Sequence, residues 1–101
     1  MMSKSNFQLL MRFLNQLTID ERINTSHISL CFALIICWDQ QKHKQPFRIT
    51  RRVLMEYGKI SSTSTYHICI KELIAYQLIA YEPSYDSYKG TLVSFLIKKG
   101  S

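Results

Sequence analysis

Apolar positions along the chain mark four helices and three short strands. In residues 7–17, Phe7, Leu10, Met11, Leu14 and Leu17 recur at helical spacing, with Arg12, Asn15 and Gln16 on the other side. Ser5 or Asn6 is placed to cap this helix, giving an N-terminal unit of 5–17. Leu9 and Phe13 fall off the stripe, so this helix has surplus apolar surface, for a wider core face or for a dimer contact. The polar run 18–25 breaks the period and reads as a connection. Asn24, Thr25 and Ser26 offer caps for a second helix over 26–41. Its Ile28, Cys31, Phe32, Leu34, Ile35, Ile36 and Trp38 make it apolar nearly all round, as expected of a central helix. The loop 42–46 is polar and closes on Pro46, which discourages helix continuation.

Phe47 and Ile49 flank Arg48 in a short first strand. Thr50 caps a third helix of about two turns, with Val53, Leu54 and Tyr57 inward. Gly58 is expected to end it with a positive backbone angle. Ser61 or Ser62 then caps a fourth helix with Tyr66, Cys69, Ile70 and Leu73 inward and Tyr76 or Gln77 in its last turn. Residues 78–82 read as a strand stopped by Pro83, 84–90 as a hairpin tip, and 91–97 as the return strand. Residues 98–101 form a basic tail. The fold class is mainly α with a small β element (α+β), in one domain over 1–101 with its core at 26–97.

Composition narrows the chemistry. A chain of 101 residues that is 47% hydrophobic suits one compact core. A formal charge of +6 and a pI near 9.4 favour a polyanionic partner or surface. Cys31, Cys37 and Cys69 sit in apolar surroundings, the usage of reduced thiols in a cytoplasmic protein. The longest apolar run, 28–38, is well short of the roughly 18 residues of a membrane span, and the first residues lack the layout of a secretory signal. A soluble, cytoplasmic chain without a membrane partner is expected.

The order helix, helix, short strand, helix, helix, strand, hairpin, strand resembles the winged helix-turn-helix superfamily from about Ser26 onward. The specific part is ISSTSTYHICIKELIAYQLI, 60–79. There Ser64, Thr65, Tyr66, Cys69, Ile70, Leu73, Leu78 and Ile79 fall on the family's cap, core and wing-entry positions. Gln77 departs, standing where the family often has glycine; it must adopt a left-handed conformation or end the helix differently. Ile68 departs where a polar residue is frequent. HISLCFALIICW, PFRITRRVLM, KISSTSTYHICIKEL and YEPSYDSYKGTLVS are similar to small winged-helix proteins of bacterial mobile elements. Such proteins are usually transcriptional regulators, or accessory factors in excision or replication. The resemblance implies double-stranded DNA as the partner, without catalysis or cofactor.

The residues expected to touch DNA follow from that reading. Ser62, Thr63, Ser64, His67 and Lys71 stand on the fourth helix away from its core stripe. Their hydroxyl, imidazole and ammonium groups suit phosphates and base edges, and Ile68 would press a thymine methyl. Arg51 and Arg52 occupy a helix first turn, where the dipole disfavours cations and a bound phosphate would relieve them. Lys89 at the hairpin tip, with Ser84, Tyr85 and Tyr88 beside it, would meet the backbone. Lys42, His43 and Lys44 offer a second clamp. A homodimer, or a protein partner docking on the N-terminal helix or on the fourth helix through Ile68 and Ile74, remains open. No enzyme is expected, since the carboxylates are scattered and no glycine loop or nucleophile motif is present. No metal is expected either: His27 and Cys31 share a helix face, but a structural zinc needs two more ligands and no CxxC or HxxxH pair supplies them.

Overall fold

The computed structural model describes residues 2–83 and 90–98. Its elements run α1 (Lys4–Ile19), α2 (Thr25–Gln40), β1 (Phe47–Ile49), α3 (Arg51–Tyr57), α4 (Thr63–Ala75), β2 (Ile79–Glu82) and β3 (Thr91–Phe95). The architecture is mainly helical, with a small antiparallel sheet in the order β1-β3-β2. Phe47 pairs with Val93 on one side of β3, and Tyr81 pairs with Val93 on the other. No described helix is long and apolar enough to cross a membrane.

Every helix opens on a side-chain cap that satisfies a first-turn amide. Ser3, rather than Ser5 or Asn6, caps α1, its Oγ accepting from the Asn6 amide at 3.1 Å. Asn24 caps α2 within a capping box: Asn24 Oδ1 accepts from the His27 amide, and the Asn24 amide donates to His27 Nδ1. Thr50 caps α3 and Ser62 caps α4.

The core centres on α2, which is buried at His27, Leu30, Cys31, Ala33, Leu34, Cys37 and Trp38. The helix is apolar nearly all round but not buried all round: Ile28 and Phe32 are half exposed at 54% and 55%. Phe95 of β3 gathers an aromatic cluster, with ring centroids 4.6 Å from Phe13, 5.1 Å from Phe47 and 5.6 Å from Trp38. That cluster turns α1 away from its expected face. Of the expected stripe, Leu17 is buried and Leu10 and Leu14 are half-buried, but Phe7 and Met11 stay exposed and off-stripe Phe13 is fully buried. Gln16 is buried as well. Its Nε2 donates to the Leu96 carbonyl at 2.9 Å and its Oε1 accepts from the Lys98 amide, tying α1 to the chain beyond β3. Gln41 does similar work at the sheet edge: its amide exchanges hydrogen bonds of 2.7 and 2.8 Å with the Arg48 backbone.

One turn corrects the expected backbone, and a second settles an open alternative. Gly58 has φ −82°, an ordinary right-handed angle, and Lys59 takes the left-handed one at φ 56°. Gln77 accepts the left-handed conformation at φ 61°, taking the first of the two routes open to it. The strands β2 and β3 are shorter than 78–82 and 91–97: the Leu78 amide still donates back to the Leu73 carbonyl of α4, while the Leu96 amide donates to the Leu78 carbonyl beyond the ladder.

Candidate functional site

The inward stripe of α4 is as expected, with Tyr66, Cys69, Ile70 and Leu73 buried. Positions three and four residues apart share a helix face, so Ser64, His67, Ile68 and Lys71 form the opposite face, and all four are exposed. Ile74 is half-buried rather than exposed. Ser62 Oγ accepts from the Thr65 amide at 3.2 Å. The amides of Thr63 and Ser64 precede the first intrahelical bond, from the Tyr66 amide to the Ser62 carbonyl, and both residues are exposed.

Arg51 and Arg52, exposed at the start of α3, meet α4 across an open cleft of about 350 Å³. It is lined by Ile49, Arg51, Arg52, Tyr66, His67, Ile70, Tyr81 and Thr91, with no carboxylate among them. Burial pushes the Tyr66 phenol up to about 12; nearby Tyr81 adds to this, and Arg51 opposes it. The cleft gathers Arg51, Arg52 and His67 of the expected residues, whereas Thr63, Ser64 and Lys71 lie outside its lining. Ser62 lines a separate cleft of about 220 Å³, where Thr25, Ser26 and Ser29 of α2 face Lys59, Ile60, Ser61 and Thr65. Sequence reasoning missed that grouping, which exists only because α2 and α4 start side by side. Ser84, Tyr85, Tyr88 and Lys89 lie outside the described residues. His43 is turned inward as a clamp residue, its ring 4.7 Å from Trp38 and its Nε2 2.9 Å from an Asp39 oxygen.

A second polar cluster lies between α2 and the back of α4. His27, 1% exposed, places Nε2 3.0 Å from Glu72 Oε1, and Tyr76 donates its hydroxyl to Glu72 Oε2 at 3.2 Å. Arg22 lies over the Tyr76 ring, 4.1 Å from its centroid. Arg22 also forms a forked pair with Asp20, whose carboxyl it holds down at about 2. Cys69 Sγ approaches the His27 and Glu72 ligand atoms, all three lying within 4.8 Å of one another. The sequence carried a partial signal for this cluster in two same-face pairs, His27 with Cys31 and Cys69 with Glu72. The three thiols are protonated and unactivated as nucleophiles. Burial raises all three, with a further push from Cys69 on Cys31, which reaches about 12, and from Glu72 on Cys69.

No protein-family model, curated protein or solved structure matches the chain.

Proposed function

We propose that the chain binds double-stranded DNA as a winged helix-turn-helix protein. In this reading α3 and α4 are the motif, α4 enters the major groove and the hairpin between β2 and β3 is the wing. One observation carries it. Arg51 and Arg52 stand with His67 around a cleft with no carboxylate among its described lining residues, beside the exposed Ser64, His67, Ile68 and Lys71 of α4. A cationic cleft beside an exposed polar helix face suits a phosphate backbone flanking a groove. The expected role is regulation of genes on a bacterial mobile element, with an architectural part in excision or replication as the alternative.

The test is selection from random duplex DNA at two salt concentrations. Salt-sensitive binding with an enriched sequence supports a specific regulator, and salt-sensitive binding without enrichment supports the architectural role. Arg51→Ala should weaken all sequences alike and flatten the salt slope by about one unit. His67→Ala or Lys71→Ala should cost about 1–3 kcal/mol and relax preference at one base pair. Absence of binding at low salt overturns the DNA reading.

A protein-docking role has its own support. Phe7, Met11, Ile28, Phe32 and Ile68 are 40–58% exposed, apolar area of a kind that partner surfaces use. A homodimer would also let two copies of α4 read paired half-sites. Sedimentation with and without DNA separates a preformed dimer from one assembled on DNA, and monomer in both removes the dimer.

A further inference from the structure

The cluster between α2 and α4 is not used by the DNA reading, and its chemistry is that of a metal site. His27 Nε2, Cys69 Sγ and a Glu72 carboxylate oxygen lie within 4.8 Å of one another. His27 and Cys69 are 1% and 3% exposed, while the Glu72 side chain is 39% exposed, so the cluster is buried toward the helices and open at the carboxylate. Cys31, one turn beyond His27 on α2, is buried on the same helix face as His27. Tetrahedral zinc with bonds of about 2.0–2.3 Å holds its ligand atoms roughly 3.3–3.8 Å apart. His27 and Glu72 are already closer than that at 3.0 Å. Closing around an ion therefore takes side-chain adjustment of about an ångström rather than movement of a helix.

We propose that His27, Cys69 and Glu72 bind a zinc-class divalent cation, with the fourth position taken by Cys31 or by water. Imidazole, thiolate and carboxylate together are a donor set that such ions select. The ion forms bonds to Nε2, Sγ and one Glu72 oxygen, and the Cys69 S–H proton leaves to solvent. Glu72 loses its hydrogen bond from His27, and Tyr76 still holds the other carboxylate oxygen. An outer partner of this kind orients a ligating carboxylate.

His27 also changes tautomer. The Asn24 amide donates to Nδ1 at 3.0 Å, which leaves the ring proton on Nε2, facing Glu72. An ion on Nε2 displaces that proton to Nδ1, and the Asn24 bond is given up. Loading thus exchanges half of the α2 capping box for a bridge tying α2 to α4. One proton per ion is released when water fills the fourth position, and two when Cys31 does.

The test is titration of the full, reduced, metal-free chain with Co²⁺. The expected result is a sulfur-to-cobalt charge-transfer band that saturates at about one ion per chain and is displaced by Zn²⁺. Cys69→Ser abolishes the band, while Cys37→Ser, outside the ligand group and about 15 Å along α2 from His27, keeps it. Glu72→Gln weakens cobalt binding by more than about tenfold with the fold intact by circular dichroism. A folded wild-type chain that shows no such band at millimolar Co²⁺ overturns the proposal. So does a band that survives Cys69→Ser or is lost in Cys37→Ser. If Cys69→Ser does not fold, Glu72→Gln decides, and unchanged affinity there overturns it.

Discussion

Replacing Gly58 with alanine tests why a glycine ends α3. Its φ of −82° and ψ of −1° are open to any residue, so backbone conformation alone gives no reason for it. Space does. A Cβ there would stand 2.9 Å from the Ser29 carbonyl oxygen and 3.4 Å from the Ser29 carbonyl carbon, both backbone atoms of α2 that cannot rotate away. Lower chain entropy in the unfolded state would favour alanine by about 0.4–1 kcal/mol. One extra methyl in a packed contact costs about 1–3 kcal/mol, because α3 must back off from α2. The net expectation is a loss of about 1–2 kcal/mol, or a fall in Tm of roughly 5–10 °C for a domain of this size. Thermal and urea unfolding followed by circular dichroism reads it directly. Lys59→Gly is the internal control. Lys59 holds φ 56°, where glycine has no Cβ penalty, so this change should be neutral or stabilise by up to about 1 kcal/mol. Opposite signs at adjacent residues separate a steric glycine from a conformational one. Should Gly58→Ala melt at or above the wild-type temperature, the close approach of α3 to α2 is not what selects the glycine.

Phe13→Ala should cost about 3–5 kcal/mol, since Phe13 is fully buried against Phe95, whereas exposed Phe7→Ala should cost less than about 1 kcal/mol. Equal losses in urea unfolding would overturn the observed rotation of α1. Gln16→Ala removes the bonds to Leu96 and Lys98 and should cost about 1–3 kcal/mol, with faster hydrogen exchange in α1 than in α4. Arg22 lowers the Asp20 carboxyl from 3.8 to about 2. A depressed carboxyl contributes stability that is complete above the unfolded value and lost as pH falls through the folded one. Acid titration of Tm should therefore show a decline between about pH 4 and 2 that Asp20→Asn lacks.

The element order was legible because each element carries its own period and punctuation. Thr50 and a serine before α4 were readable as caps, and the inward stripe of α4 follows from spacing alone. The face of α1 was not, since two apolar stripes compete on it. Phe13 wins because Phe95, far along the chain, supplies an aromatic partner that Phe7 does not have among the described residues. Gly58 misled for a related reason. A glycine at a helix end usually signals a left-handed angle, and only the position of Ser29 on another helix reveals that the demand is for space.

The same division runs through the candidate sites. The outward face of α4 is a property of one helix, so Ser64, His67 and Lys71 could be named from spacing. The joining of Arg51 and Arg52 to His67 required α3 to pack beside α4, which the sequence implied only through a resemblance. The cluster of His27, Cys69 and Glu72 lay beyond both kinds of reasoning. His27 and Glu72 are 45 positions apart, and neither same-face pair is sufficient alone. Yet each helix spends polar and sulfur groups on a face that packing then buries, and a buried charged or polar group must be answered by a partner. Here the answer is a hydrogen-bonded network that also has the donor atoms of a divalent-ion site. Helix α4 thus presents exposed hydroxyl, imidazole and ammonium groups on one side and shares the His27–Glu72 network with α2 on the other.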